Sequence, residues 1–271
     1  MTTIVDGKAI AEDLYKELEQ RRAGIARQLK LGIVVVGVDP VIESFVSIKI
    51  RSAARLRIDM PRVDLDGGAG TEDVITAVRD LAAQVDGLIL QLPLPKTVDT
   101  NAALSAIPDD KDVDAISTAN PDHIVEAPVA LAVVEILRRA GVEPKGKKAL
   151  VVGAGRLVGA PTAKLLKKLG ANVSMFTLEE GSIDDLKEAD IVVSGAGNPG
   201  FIKPEHLKKG VALIDAGASE QSGKVVGDCD PACATIASVF TPVPGGVGPI
   251  AVAMIFKNLF HLVDLVEHVG R

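Results

Sequence analysis

Apolar residues recur along this chain in two alternating arrangements. Over residues 7–29, Ala9, Ile10, Leu14, Leu18 and Ile25 follow helical spacing and predict a first helix. Leu31 to Val36 is a β-branched apolar run closed by Gly37, the mark of a buried strand. Asp39-Pro40 opens a second helix, with proline near its start where helices tolerate it. Pro61 to Leu65 predicts another strand. A third helix begins at Thr71, where Thr-Glu-Asp supplies a cap and an acidic first turn. Val85 to Leu92 is a further apolar run, ending in Pro-Leu-Pro. This β-α-β-α-β rhythm calls for a parallel sheet covered by helices.

A second cycle follows a helical stretch from Val129 to Ala140. Lys147 to Val152 predicts a strand that runs into Gly153-Ala154-Gly155-Arg156-Leu157-Val158-Gly159-Ala160-Pro161. A helix then extends to Leu169. Strands are expected at Asn172–Phe176, Ile191–Ser194, Ala212–Asp215 and Ser238–Phe240, and a last helix from Pro249 to His268. The fold class expected is α/β with two domains, each a mostly parallel sheet with flanking helices, the second Rossmann-like.

Composition narrows the partners. Of the 271 residues, 47% are hydrophobic, enough for a sizeable core, and the formal net charge is −6. That balance argues against a general nucleic-acid binder, which needs a basic stripe. With 3% aromatics, stacking platforms for single strands are not expected either. No apolar run approaches the roughly 18 residues of a membrane helix, so no membrane partner is expected. Met1 to Asp6 lacks a basic region followed by an apolar one, so no signal peptide is expected and the protein is placed in the cytoplasm. Cys229 and Cys233 are too few for a disulfide framework, and no histidine lies near them in sequence, so no metal site is expected.

Two features carry chemistry. Lys49 stands among apolar neighbours in Phe45-Val46-Ser47-Ile48-Lys49-Ile50. A lysine that loses hydration has a lowered pKa and can move protons near neutrality; the plainer alternative is a lysine snorkelling along an apolar face. The strand–glycine–helix sequence at 153–159 is the layout that seats a pyrophosphate on a helix N-terminus. Its third glycine is Gly159, where the common fingerprint wants position 158, which is Val. An acid past the second strand would take a ribose hydroxyl, and an arginine would accept a 2′-phosphate. Glu179 and Glu180 offer the first and Arg156 the second, so these residues leave NAD and NADP both open.

Several segments together resemble the methylenetetrahydrofolate dehydrogenase/methenyltetrahydrofolate cyclohydrolase family. They include Val5-Asp6-Gly7-Lys8, Phe45-Val46 with Lys49, Gln91-Leu92-Pro93-Leu94-Pro95, Asp110-Lys111-Asp112-Val113-Asp114, Val225-Val226-Gly227-Asp228 and Thr241-Pro242-Val243-Pro244-Gly245-Gly246-Val247-Gly248-Pro249. The resemblance implies a folate-binding domain, residues 1–116 completed by the helix at 249–271, an NAD(P)-binding domain, residues 117–248, a cleft between them, and a homodimer. It implies oxidation of methylenetetrahydrofolate by NADP, with NAD also possible, then hydrolysis of the methenyl cation to formyltetrahydrofolate. By the same resemblance Lys49 is the catalytic lysine, Gln91 its orienting partner and Asp114 the carboxylate for the pterin edge. Phe45, Pro93, Pro244, Gly245, Gly246 and Val247 would line the folate site. Gly153, Gly155, Arg156, Leu157, Val158, Gly159, Gly195 and Thr241 would hold the cofactor.

The chain departs from the family pattern at four places. Phe45 stands where the family usually has tyrosine, which puts the cyclohydrolase step in question. Glu126-Ala127-Pro128-Val129-Ala130 replaces a Pro-Cys-Thr-Pro segment, Gly155 a serine, and Thr177-Leu178-Glu179-Glu180 a His-Ser-type segment. The alternatives are a dehydrogenase with weak or absent cyclohydrolase activity, and a non-catalytic folate- or nucleotide-binding regulator. An amino-acid or shikimate-type dehydrogenase shares the layout but leaves the two proline-rich motifs unexplained.

Overall fold

A computed structural model of the chain describes residues 2–120, 122–177, 181–221 and 224–269, with side chains through Glu267. The elements in order are β1 (Thr3–Ile4), α1 (Gly7–Ala23), β2 (Leu29–Val36), α2 (Pro40–Arg55), β3 (Ile58–Asp59), β4 (Arg62–Leu65), α3 (Thr71–Ala82), β5 (Gly87–Leu90), α4 (Thr100–Ser105), α5 (Pro128–Arg139), β6 (Lys148–Val152), α6 (Gly159–Lys168), β7 (Asn172–Phe176), β8 (Ile191–Ser194), β9 (Ala212–Asp215), β10 (Ser219–Gln221), β11 (Lys224–Val226), β12 (Val239–Phe240) and α7 (Val247–Val269). The chain forms two compact units. One comprises residues 1–13 and 129–251, the other 14–128 and 252–271.

In the unit of residues 14–128 and 252–271, β2 is the centre of a parallel sheet. Its residues pair with β3, with β4 (Ile33 opposite Arg62) and with β5 (Leu31 opposite Gly87). That position explains the sequence of β2: every residue except Lys30 is buried. A central strand covered on both faces must be continuously apolar. Val34, Leu88 and Leu90 pack with Val74 and Val78 of α3 and Leu104 of α4 in one core cluster. Helix α2 starts where the sequence says it should. The Asp39 carboxylate accepts from Val41 N (2.7 Å) and Ile42 N (3.1 Å), and Pro40 needs no acceptor.

In the other unit, six parallel strands run in the order β1-β12-β9-β8-β6-β7, and β10 and β11 form an antiparallel pair beside them. Val152, Val192, Leu213 and Ile202 are fully buried, and Cys229 and Cys233 join the same cluster as free thiols.

Three expectations change. In the spatial grouping residues 1–13 lie with 129–251, and residues 117–128, expected in the second domain, lie with 14–116; β1 adds to the sheet edge by pairing with β12, Thr3 opposite Val239. A two-residue strand leaves no periodic signal, and only the edge of β12 gives it a partner. The first helix ends at Ala23, and Leu29, expected inside it, opens β2. One apolar run is longer than expected. Val247–Glu267 is long and apolar enough by composition to cross a membrane, and 56% of that window is buried inside the protein. Phe256, Leu259 and Phe260 are fully buried, so its apolar character serves packing.

Candidate active and nucleotide sites

Phe45 and Lys49 lie four residues apart on α2, one helical turn, and so share a face. Gln91 follows β5 directly, its N–H donating to Val34 O across the sheet. The register therefore delivers a buried glutamine to the carboxyl end of β5. Lys49 Nζ donates to Gln91 Oε1 at 2.7 Å, and Gln91 Nε2 donates to Leu92 O, also at 2.7 Å. The second bond fixes the amide so that its oxygen, not its nitrogen, faces the lysine. The Phe45 ring is 42% exposed, and Pro93, after a cis peptide bond, is exposed beside this pair in sequence.

Asp114 is presented by a loop whose shape is set by Asp112. The Asp112 carboxylate, 2% exposed, accepts from Ile116 N (2.7 Å) and Ser117 N (2.8 Å), with His123 Nδ1 3.6 Å away. Ala115, between them, takes a left-handed φ of 52°. Asn258 of α7, 4% exposed, donates to Val113 O and Glu126 O and pins the loop from outside. The sequence reading missed Asn258; its signal is a single amide in the apolar run Ile255-Phe256-Lys257-Asn258-Leu259-Phe260.

The electrostatics follow from burial. Desolvation pulls the Lys49 pKa below its ordinary value, against the opposing pull of Asp114. Desolvation pushes Asp114 up to about 6, opposed by the Lys49 charge and reinforced by Asp112. Lysine and carboxylate are thus both displaced toward neutral pH, as an acid–base site requires. The structure brings Lys49, Gln91 and Asp114 into one electrostatic group within one unit.

In the other unit the glycine turn follows β6 as expected. Gly153 takes φ +93°, and a Cβ on Gly159 would lie 1.8 Å from Gly153 O, so the helix start can close on the turn only with glycine there. The one-residue offset from the common fingerprint is accommodated by Val158. It stands at the N-cap of α6, and its side chain fills the space over Gly195. Gly155, Arg156 and Leu157 are exposed, and a Cβ at Gly155 would meet nothing within 4 Å. The turn is therefore a backbone cradle with an open face at the carboxyl end of a parallel strand, which suits a dinucleotide pyrophosphate. Leu178, Glu179 and Glu180, on which part of the cofactor reading rested, lie outside the described residues.

Thr241 was expected to meet the cofactor. Its side chain is fully buried, and its hydroxyl accepts from Asp215 N (2.6 Å) and contacts Asp215 O (3.3 Å). It is a strand tie, a role hidden until β9 and β12 are adjacent. In the loop that follows, Pro244 is exposed after a cis bond, while Gly246 and Val247 are buried. Gly7 N donates to Gly245 O at 3.0 Å, so the N-terminal motif supports this loop.

Comparison with known proteins matches residues 5–114 to the tetrahydrofolate dehydrogenase/cyclohydrolase catalytic domain and residues 127–266 to the NAD(P)-binding domain of the same family. The bifunctional protein FolD of Halothermothrix orenii is 36% identical over 95% of this chain and 96% of its own length. The Trypanosoma brucei methylenetetrahydrofolate dehydrogenase-cyclohydrolase, solved with NADP and an inhibitor, superposes with a TM-score of 0.91 at 32% identity, covering 98% of each chain. The bifunctional FolD enzyme of Campylobacter jejuni gives 0.92 at 27% identity, covering 98% of this chain and all of that one.

Proposed function

The chain belongs to the tetrahydrofolate dehydrogenase/cyclohydrolase family, and from that membership we propose that it performs both reactions on one folate. Methylenetetrahydrofolate loses a hydride from its bridging carbon and becomes the methenyl cation. Water then adds to that carbon, a proton leaves, and the ring opens to formyltetrahydrofolate. The observation that carries this reading is the Lys49–Gln91 hydrogen bond of 2.7 Å beside the raised carboxyl of Asp114.

Lys49, with a pKa lowered by burial, takes the proton that the attacking water releases and returns it as the ring opens. Gln91 holds the amine in place. Asp114 accepts N–H donors of the pterin edge, where a carboxylate can take a paired contact. The exposed Phe45 ring gives a flat apolar surface for the substrate. Bound NAD(P) supplies the hydride acceptor. Gly153, Gly155 and Gly159 would cradle its pyrophosphate, and Arg156 would favour a 2′-phosphate, giving a modest preference for NADP.

A dehydrogenase with weak cyclohydrolase activity is the second reading, favoured by Phe45, whose ring lacks a hydroxyl. We also propose a homodimer serving one-carbon metabolism and purine biosynthesis in the cytoplasm; two free buried thiols fit a reducing compartment. A paired assay tests the main reading: methylenetetrahydrofolate with NADP or NAD, and methenyltetrahydrofolate alone. Reduction of either nucleotide together with hydrolysis of the methenyl form is expected. Absence of either activity in folded protein would discard it, and size-exclusion chromatography with light scattering tests the dimer.

A further inference from the structure

Two carboxylates without an assigned role are buried side by side at the carboxyl ends of the six-stranded sheet. Asp228 is fully buried and Asp215 is 2% exposed. Asp228 Oδ2 accepts from Ser194 Oγ (2.7 Å) and Ala196 N (2.8 Å), and its Oδ1 accepts from Asn198 N (2.8 Å). Asp215 accepts in turn from Gly217 N (3.0 Å), Asp228 N (3.2 Å) and Cys229 N (2.8 Å). The fit is tight. A Cβ at Gly217 would stand 2.4 Å from Asp228 Cγ, and one at Gly227 would stand 2.1 Å from Asp215 Oδ2.

The segment that Asp228 grips is the one that abuts the glycine turn. Strand β8 pairs with β6, Val152 opposite Ser194, and Gly195 N donates to Val152 O at 2.9 Å. A Cβ at Gly153 would lie 2.7 Å from Gly195 O, and one at Gly195 would lie 2.3 Å from Val158. Residues 195–198 thus form the wall next to the pyrophosphate cradle. Left alone, such a loop would be held by few bonds of its own. Burying two carboxylates is costly unless every oxygen is satisfied. Here three donors converge on each, which makes the pair a rigid anchor and not an accidental burial.

We propose that Asp228 is a positioning residue for the cofactor: it fixes residues 194–198 against the glycine turn and so sets the nicotinamide-nucleotide site, with Asp215 holding Asp228 in place. Asp228 touches neither reactant and acts through the backbone it orients. The proposal rests on the bifunctional reading above, and that reading supplies its control. Hydrolysis of methenyltetrahydrofolate uses no nucleotide, so a defect confined to residues 194–198 separates the two activities.

The test compares wild type, Asp228→Asn and Ser194→Ala by NADP titration and by both assays. An asparagine keeps one acceptor but turns a donor toward Ala196 N–H or Asn198 N–H, leaving that group unpaired. Leaving one buried N–H unpaired should raise the NADP dissociation constant roughly tenfold. Ser194→Ala deletes one of three donors and keeps both backbone bonds, so a rise of roughly threefold is expected. In both variants the rate of methenyltetrahydrofolate hydrolysis should match wild type. Unchanged NADP affinity in a folded variant, or a parallel loss of both activities, would overturn the proposal. Should Asp228→Asn not fold, Ser194→Ala decides the matter by the same two readouts. Wild-type protein lacking either activity would instead refute the functional reading itself.

Discussion

Gln91 holds Lys49 by one end of its amide and the adjacent Leu92 carbonyl by the other, both at 2.7 Å. The lysine therefore faces an acceptor whose orientation is fixed before any substrate arrives. A neutral acceptor steadies the amine without adding a charge that would restore its pKa. That leaves desolvation as the dominant influence on Lys49, with Asp114 opposing it.

Lys49→Met should abolish hydrolysis of methenyltetrahydrofolate while leaving the fold intact. Methionine keeps much of the volume and removes the amine. Hydride transfer depends more on positioning than on acid–base help, so dehydrogenase activity should fall less. Stopped-flow absorbance of the methenyl form reads the first effect. A wild-type hydrolysis rate would remove Lys49 from its assigned role.

Phe45→Tyr should raise the cyclohydrolase rate and change the dehydrogenase rate less. The added hydroxyl stands one helical turn from Lys49, and the ring is exposed enough to accept it. One hydrogen bond that tightens in the transition state is worth roughly three- to tenfold in rate. An unaltered rate in the folded variant would show that the hydroxyl is dispensable here.

Asp114 carries a pH signature. Its folded pKa of about 6 lies above the ordinary 3.8, because burial disfavours the charge. The folded chain then binds more protons than the unfolded one between these values. The stability this group contributes is full below 3.8 and is lost as pH rises through about 6. Asp114→Asn should accordingly gain melting temperature relative to wild type at about pH 8 and not at about pH 4, while losing folate affinity. Equal differences at the two pH values would contradict the assignment.

Arg156→Ala should weaken NADP binding far more than NAD binding, since Arg156, exposed on the glycine turn, is the residue proposed to meet a 2′-phosphate. Isothermal titration with both nucleotides measures the ratio of dissociation constants. If the ratio does not move, the preference is set elsewhere.

Ala115→Gly should stabilise the protein. Ala115 has φ of 52°, where a Cβ crowds the backbone and glycine does not. Relief of that strain, less the added flexibility of the unfolded chain, amounts to up to about 1 kcal/mol. Chemical denaturation measures it, and a lower midpoint would refute the strain argument.

The sequence by itself determined the βα rhythm, because a strand covered on both faces must be continuously apolar and a helix must repeat its apolar face. It determined the glycine turn at 153–159 and, through the proline-rich motifs, the family. The resemblance also named Lys49, Gln91 and Asp114 and set Gln91 beside the lysine, but not the geometry or burial that tunes them. They stand far apart in the chain, and only the pairing of β2 with β5 and the Asp112-shaped loop collects them. The tertiary structure alone placed Thr3–Ile4 beside β12, since a two-residue strand has no period to read. It alone turned Thr241 from a cofactor contact into a tie between β9 and β12, by spending its hydroxyl on the Asp215 backbone. It alone gave Asp215, Asp228 and Asn258 their roles. A buried polar side chain is defined by the donors and acceptors that folding brings to it, and apart from Gly217 N beside Asp215 these partners stand 13 or more residues away in the sequence.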